Sequence, residues 1–401
     1  MNRRDFLKNT AFASAGTLMI PQFLKAHESR INRDFNGKVL VVIQLSGGND
    51  GLNTVVPYRN DIYYRERPTL AIERSKVLSL SDEIGLNPAL EAIRTLYDDG
   101  RVRILNNVGY PNPDRSHFRS MDIWQTASDS NKFLTTGWLG RYLDATCSTN
   151  DNNAHRILEI DDTLSLALKG KTFNGMAMLD PEKLYRQTKN GISSKLSYAA
   201  AGSATENQVG YLYKTLAETT SSADYLFDKT NSKKGSFTYP NTELGKSLKV
   251  VSDLINTGVD TSVYYSSIAG FDTHVGQRGA QDRALKLYAE AVSAFVNDLK
   301  QSGNLDRTMI LTFSEFGRRI KQNASGGTDH GTANNAFIIG GKPRNSAIYN
   351  EAPNLVDIDG GDLRYSIDFR NIYASLLTDW LEVDHTKIVG SKFKVMSGLC
   401  S

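Results

Sequence analysis

The stretch from Lys38 to Asn53, KVLVVIQLSGGNDGLN, constrains the fold more than any other part of this sequence. Residues 39–45 form an apolar run rich in β-branched side chains, which predicts a strand buried on both faces, as in a parallel sheet. The glycines that follow indicate a tight turn holding Asn49 and Asp50. Because open α/β sheets bind ligands at the carboxyl ends of their strands, Asp50 is a candidate site residue, although a local turn-forming role would also explain it.

Length and charge narrow the possible classes of protein. The chain has 401 residues, enough for one large α/β domain or two ordinary ones. Its formal net charge of +3 is carried by the first 26 residues, where Arg3, Arg4, Lys8 and Lys25 outweigh Asp5. The remainder is neutral, so its charge does not indicate a nucleic-acid or anionic-membrane partner.

The amino terminus carries a targeting pattern. The segment RRDFLK, residues 3–8, precedes a short, mildly apolar Ala/Gly/Leu stretch that is too short to span a membrane stably. This arrangement resembles a twin-arginine signal peptide, and an ordinary basic arm is the alternative. The resemblance implies export of the folded protein to the periplasm or cell surface. Residues 1–30 are therefore assigned to the signal and linker, outside the fold.

Strand and helix patterns alternate along the rest of the chain. Val39 to Val108 predicts a strand, a loop, a helix opened by Asn87-Pro88 and a second strand, joined by a parallel crossover. Ser116 is expected to cap the next helix, SHFRSMDIWQTA. The later elements are predicted as strands at 261–268, 308–313 and 336–339, and helices at 242–257, about 279–301 and 368–381.

These patterns predict an α/β fold with a mostly parallel central sheet sandwiched by helices. Residues 31–401 are expected to form a single domain. The segment 148–250 has the weakest patterns and is interpreted as a helical or irregular insertion that caps one side of the sheet, with short strands expected near 156–160 and 176–179.

Several polar residues follow predicted strands and are expected to meet at one edge of the sheet. They are Asp50, Ser116, Asp272, His274, Glu315, Asp329 and His330. Carboxylates combined with imidazoles suit Zn²⁺, whereas an all-oxygen set suits Mg²⁺ or Ca²⁺. The two cysteines, Cys147 and Cys400, could pair or remain free, and they form no CxxC motif for a thiolate metal site. A metal beside a helix-capping serine would lower the pKa of the hydroxyl and stabilise charge on a transferring group.

A family resemblance connects these features. The segments that carry it are LVVIQLSGGNDGLN, RSHFRSMDIWQTA, GWLGRYLD, AGFDTH, LTFSEFGRR and GGTDHGTANNAFIIGG. Together they resemble the bacterial family named domain of unknown function 1501, which in turn resembles the alkaline phosphatase/sulfatase superfamily. The resemblance implies a large alkaline phosphatase-like α/β sandwich with one or two metal ions at the strand ends.

The resemblance also implies roles for individual residues. The metal ligands would be Asp50, Asp272, His274, Glu315 and His330. Ser116 would be the nucleophile, with His117 beside it, and the groups for anionic oxygens would be Asn49, Arg115 and Arg318. Two features depart from the superfamily pattern: Phe316 occupies the place of a metal histidine, and the spacing from Asp272 to His274 is shorter by two residues. The site would accordingly hold two ions, one or none.

Two functions follow from this reading. The first is an exported, metal-dependent hydrolase of phosphate or sulfate esters, including those of saccharides, with Zn, Ca or Mg as cofactor and a covalent serine intermediate. The second is a non-catalytic relative that acts as a surface binding or assembly protein, with a companion exported protein as partner. A nicotinamide or flavin enzyme is disfavoured, because GGNDG does not match GxGxxG.

Overall fold

The computed structural model describes residues 36–147, 154–189, 208–231, 235–341 and 347–400, with the side chains of 208–214 left out. The proposed signal peptide, residues 1–30, lies outside the described residues. No helix in the described ranges is long and apolar enough to cross a membrane.

Fourteen strands are present in the described ranges. In chain order they are β1 (Val39–Leu45), β2 (Val55–Val56), β3 (Leu78–Ser79), β4 (Gly85–Leu86), β5 (Val102–Gly109), β6 (Ile157–Glu159), β7 (Met176–Ala177), β8 (Val263–Ile268), β9 (Thr308–Phe313), β10 (Asn334–Gly340), β11 (Ala347–Ile348), β12 (Ile358–Asp359), β13 (Asp362–Leu363) and β14 (Ile367–Asp368). Nine of them form the central sheet, whereas β2, β3 and β4 form a small sheet and β12 and β13 form a hairpin.

The described helices alternate with these strands. They are α1 (Gly51–Thr54), α2 (Asp61–Glu66), α3 (Glu91–Asp98), α4 (His117–Thr126), α5 (Trp138–Thr146), α6 (Pro181–Lys189), α7 (Gln208–Asn231), α8 (Glu243–Asn256), α9 (Gln277–Gln301) and α10 (Phe369–Ser375). The predicted helix at 368–381 is split, because its second half, Leu376–Trp380, adopts a π-helical turn.

The central sheet has the order β11-β5-β10-β9-β1-β8-β6-β7, with β14 paired to the end of β5. Among the described strands of this sheet, only β10 is antiparallel to its neighbours, which are β5 and β9. The predicted parallel relation of β1 and β5 is therefore correct in direction, but β9 and β10 lie between them. The mostly parallel sheet confirms the predicted fold class.

Both faces of the sheet are covered, which gives the molecule three layers. Side chains of a strand alternate between faces, and β1 shows the consequence. Val39, Val41 and Ile43 pack with helices α3, α8 and α9 in one apolar cluster. Leu40 and Val42 pack with α4, α5 and α10 in the other. The apolar run of β1 is thus explained by burial on both sides.

The segment 148–250, interpreted from the sequence as a cap, is in part built into the sheet. β6 pairs with β8, and β7 pairs with β6, so both extend the central sheet at one end. Helices α6 and α7 pack against each other beyond it, with the rings of Tyr185 and Phe227 stacked 4.0 Å apart. The segment therefore extends the sheet as well as adding helices.

Candidate metal site

The predicted convergence of strand ends occurs at the carboxyl edge of β1, β8 and β9. These parallel strands end together, and antiparallel β10 begins at the same edge. His117 opens α4 in the chain after β5. Asp272 and His274 follow β8, Glu315 follows β9, and His330 precedes β10.

Three of these residues form a compact group. One ligand atom each of His117, Asp272 and His330 lies within 4.8 Å of the other two. The Oδ1 atom of Asp272 is 3.6 Å from Nε2 of His117 and 3.3 Å from Nε2 of His330. Nε2 of His274 is 3.0 Å from the same oxygen and 2.9 Å from Nε2 of His330. Three imidazoles therefore converge on one carboxylate oxygen.

The hydrogen bonds of His117 and His330 fix which ring nitrogen carries the proton. Nδ1 of His117 lies 3.0 Å from Oε1 of Glu315, and Nδ1 of His330 lies 2.8 Å from the carbonyl oxygen of Arg115. A carbonyl accepts but cannot donate, and an ionised carboxylate does the same. Each Nδ1 is therefore the donor, and in the neutral ring Nε2 presents a lone pair to the cluster.

This arrangement fits a divalent metal. Two imidazole lone pairs and a carboxylate oxygen that face one another repel, and a metal cation among them would relieve that repulsion. Nε2 of His117 is buried and has no hydrogen-bond partner in the described part of the chain. Metal-binding histidines usually donate their second N–H to a carboxylate or a backbone carbonyl, as His117 and His330 do here. The donor set of two imidazoles and one carboxylate suits Zn²⁺ better than Ca²⁺ or Mg²⁺.

Arg318 keeps Asp272 ionised. Burial alone would raise the pKa of Asp272, but the hydrogen bond from Arg318 and the positive charge of its guanidinium lower the pKa of the carboxyl group to about 2. Nη2 of Arg318 donates to Oδ1 of Asp272 over 2.7 Å. The buried guanidinium is also held by four carbonyl oxygens, those of Gly47, Gly48, Phe271 and Thr328. Arg318, predicted to hold substrate oxygens, is thus part of the framework of the site.

The pKa values of the two candidate ligand imidazoles are shifted in opposite directions. The hydrogen bond to Glu315 raises the pKa of His117. Burial lowers the pKa of His330. Glu315 itself is buried and accepts a further bond from the backbone N–H of Gly47 over 2.8 Å. Glu315, predicted as a ligand, contacts the imidazole of His117.

Phe316 occupies the position at which the superfamily pattern would place a metal-binding histidine. Its ring centroid is 4.9 Å from that of His117 and 4.7 Å from that of His330. Gly48 lies against the same ring in a left-handed conformation (φ +74°), and a Cβ atom there would overlap the ring of Phe316. The aromatic ring therefore packs against both imidazoles and limits their movement.

Asp50 lies in a different environment from the cluster. Its Oδ2 atom forms an ion pair with Nη1 of Arg67 at 2.5 Å, both side chains being fully buried, and also accepts from Gln277. Its Oδ1 atom has no hydrogen-bond partner among the described residues. A buried arginine supplies the counter-charge that a metal would otherwise supply. This environment argues against the predicted role of Asp50 as a metal ligand.

The remaining predicted residues have the following surroundings. The side chain of Asn49 is buried and bonded to Thr54 and Gln281. Arg115 forms an ion pair with Asp362. Ser116 occupies the N-cap position of α4 and is exposed, but its hydroxyl does not cap the helix. The predicted cap is thus correct in position only.

The sequence analysis did not identify two residues that form ion pairs with predicted site residues. Arg67 lies in a polar segment without a clear period, and no spacing rule connects it to Asp50 seventeen residues earlier. Asp362 lies in the β12–β13 hairpin, far along the chain from Arg115. The only signal for Arg67 in the sequence is the Tyr/Arg-rich composition of its segment. That composition does not show which arginine is buried.

Comparison with protein-family models gives one match. Residues 103–393 match the family described as "Protein of unknown function (DUF1501)". The chain belongs to this family. The match spans α4, β8, β9 and β10, and therefore includes His117, Asp272 and His330. The description of the DUF1501 family states no activity. Among curated proteins no match was found.

Solved structures with distant likeness to this DUF1501 member were also found. The C-terminal periplasmic domain of EcEptC from Escherichia coli has 10% identity and a TM-score of 0.40, covering 90% of this chain and 87% of that one. A protein in the alkaline phosphatase superfamily from Vibrio parahaemolyticus has 11% identity and a TM-score of 0.41, covering 91% and 70%. PsFucS1 sulfatase from Pseudoalteromonas sp. has 12% identity and a TM-score of 0.38, covering 92% and 72%. These scores are too low for the likeness to support an argument about activity.

Proposed function

We propose that this protein is an exported, metal-dependent hydrolase of phosphate or sulfate esters that holds one metal ion through His117, Asp272 and His330. The observation that carries the proposal is the convergence of two Nε2 lone pairs on the ionised carboxylate of Asp272. Export through the twin-arginine pathway to the periplasm or cell surface rests on the RRDFLK segment.

The donor set favours zinc. Three protein ligands with one open position are typical of catalytic zinc sites, whereas structural sites are closed by four. When bound, the ion would polarise the ester oxygens and lower the pKa of a hydroxyl or water in the open position. Glu315 and the Arg115 carbonyl orient the two imidazoles, and Arg318 orients Asp272. Nε2 of His274 is a third imidazole nitrogen near the same carboxylate oxygen, 3.0 Å from it.

Ser116 is the proposed nucleophile. It directly precedes His117, so its Cα lies about 3.8 Å from that of the ligand-candidate histidine. Its exposed hydroxyl is not engaged as a helix cap and is therefore available to attack an ester. Attack on phosphorus or sulfur would form a covalent serine ester and release the alcohol, and water would then cleave that ester. The helix N-terminus favours the negative charge of this intermediate.

The test is the metal content of the purified mature protein and of matched variants. We expect close to one equivalent of zinc in the wild type. Asp272→Asn and His330→Ala should lose it, because each removes one of three ligands. The control is His385→Ala, since His385 lies outside the cluster and bonds Thr378 and the Phe393 carbonyl. Metal-free wild type after zinc supplementation would refute the proposal, as would equal zinc in Asp272→Asn.

Hydrolysis is tested separately with aryl phosphates and aryl sulfates. Wild type should release the aryl alcohol, and Ser116→Ala should abolish turnover while keeping the zinc. Full activity in Ser116→Ala would exclude the serine as nucleophile. Activity that does not depend on zinc would exclude the metal-dependent mechanism.

A non-catalytic binding or assembly protein, working with a companion exported protein, is the second candidate. Two observations favour it: Asp50 is paired with Arg67, and Phe316 packs beside the imidazoles. Neither residue therefore supplies a ligand for a second ion. Stoichiometric zinc without hydrolysis of any aryl ester would support this candidate.

A further inference from the structure

Two half-exposed arginines share one buried carboxylate beside the candidate metal site. Nε and Nη2 of Arg115 both donate to Oδ2 of Asp362, over 2.9 Å for Nε. Nε of Arg319 lies 3.6 Å from Oδ1 of the same carboxyl group. The side chain of Asp362 is fully buried, whereas those of Arg115 and Arg319 are 44% and 41% exposed. The next residue of the hairpin, Leu363, is fastened by a hydrogen bond of 2.6 Å from the Thr332 hydroxyl to its carbonyl oxygen. The two guanidinium groups are here called the arginine pair.

The backbone of each arginine adjoins the candidate metal site. The carbonyl oxygen of Arg115 accepts the hydrogen bond of 2.8 Å from Nδ1 of His330, and Arg115 directly precedes Ser116. Arg319 directly follows Arg318, whose backbone pairs with that of His330 in an isolated antiparallel bridge. The arginine pair therefore lies within the reach of one arginine side chain from a candidate ligand, next to the segment that carries the proposed nucleophile.

The charges of this group do not balance. One carboxylate faces two guanidinium groups, so one positive charge is left over. In the described ranges, Asp362 is the only carboxylate that forms an ion pair with either member of the arginine pair. Asp357 of the same loop is paired with Arg364 at 2.9 Å, and the exposed Asp359 forms no ion pair with a described residue. The half-exposed surplus charge would attract an anion from solution.

The arginine pair also has hydrogen-bond donors to spare. The guanidinium of Arg319 makes no hydrogen bond with any residue that the structure describes, and Oδ1 of the buried Asp362 accepts none from that part of the chain. A guanidinium presents several N–H groups in one plane and suits carboxylate, phosphate and sulfate oxygens. Because Asp362 already holds Arg115 through two N–H groups, binding an anion there would cost less side-chain entropy than at a mobile arginine.

We propose that the arginine pair binds a second anionic group of the ester substrate. The protein would therefore prefer esters that carry another phosphate, sulfate or carboxylate group close to the one that is attacked. This substrate class rests on the proposed function, but anion binding by the arginine pair does not. Arg115, expected from the resemblance to hold anionic oxygens, would hold those of the second group, and Arg319 is an additional residue that determines specificity.

The test is calorimetric titration of the purified mature protein, supplied with zinc, with butanedisulfonate and with butanesulfonate. Sulfonates have no ester bond, so the assay measures binding without hydrolysis. The wild type should bind the disulfonate at least about tenfold more tightly, because one sulfonate group reaches the metal and the other reaches the arginine pair. Arg319→Gln should lose about tenfold in affinity for the disulfonate. The control is Arg364→Gln, which removes an exposed arginine at the end of the same hairpin and should bind as the wild type does.

A chelator-treated sample separates this proposal from that of the metal site. Without zinc, both sulfonates should bind alike through the arginine pair, and Arg319→Gln should weaken the binding of both. That result would support the arginine pair even if the wild type never holds zinc.

Three results would overturn the proposal. The first is equal affinity of Arg319→Gln and wild type for the disulfonate, with and without zinc. The second is an equal loss in Arg364→Gln, which would indicate a general effect of positive charge. The third is equal affinity of the zinc-containing wild type for the two sulfonates, which would leave the arginine pair as a site for free anions and not for a group of the substrate.

Discussion

Replacing Asp50 by Asn separates a structural role from a metal-binding role. Asp50 and Arg67 are both fully buried, so the substitution leaves a buried guanidinium without its counter-charge. Loss of one partner of a buried ion pair costs about 3–5 kcal/mol. Arg67 keeps three other acceptors: the Ile320 and Arg319 carbonyl oxygens, each at 2.8 Å, and Asn53 Oδ1 at 3.0 Å. We therefore expect the lower end, a decrease of about 3 kcal/mol in the free energy of unfolding.

The assay combines urea unfolding with the zinc content of the folded fraction. Asp50→Asn should unfold at a markedly lower urea concentration and still bind zinc as the wild type does. The control is Asp98→Asn, which breaks an exposed ion pair with Arg94 and should cost at most about 0.5 kcal/mol. Folded Asp50→Asn without zinc would refute the reasoning and return Asp50 to the ligand set. Unchanged stability would refute the importance of the buried pair.

Two further predictions concern Glu159 and Gly48. Burial raises the pKa of Glu159 from 4.5 to about 7. The contribution of Glu159 to folding stability is therefore fully present below pH 4.5 and is lost as the pH rises through 7. Glu159→Gln should add up to about 3 kcal/mol to the free energy of unfolding at pH 8 and nothing at pH 4. The exposed Glu91→Gln should show no such pH-dependent gain, and an equal gain at both pH values would contradict the expectation. Gly48→Ala should lower the free energy of unfolding by at least about 1 kcal/mol, because it strains a left-handed residue and pushes Phe316 towards the imidazoles. We also expect this variant to bind zinc more weakly in a competition titration. Unaltered zinc binding would contradict the role of Phe316.

Much of the fold is predictable from local pattern. β9 occupies residues 308–313 as the apolar run predicted, and α8 follows the amphipathic pattern from Thr242, whose side chain caps it. These elements are defined by burial of one stripe or of both faces, which the sequence displays directly. The antiparallel direction of β10 is not displayed, because strand direction depends on which neighbours the chain reaches after the intervening loop.

The site was predictable as a set of strand-end residues but not in its division of roles. Asp272 and His330 were predicted as ligands, and both lie in the cluster, whereas His117 was predicted only as the neighbour of the nucleophile. Asp50 and Arg318 are bonded within the framework. Strand-end position tells which residues are near one another. Whether a carboxylate meets an arginine or an imidazole depends on side chains from distant segments, and single-sequence spacing carries no record of them.

The antiparallel insertion of β10 links the candidate metal site to closure of the central sheet. β10 lies between β5 and β9, so the centre of the sheet stays open until residues 334–340 have been added. His330 enters with that same strand, directly before it in the chain. A chain that stops before residue 330 lacks both the strand that joins the two halves of the sheet and His330, the third candidate ligand. If the proposed function holds, zinc would bind at this site only after β10 has closed the sheet.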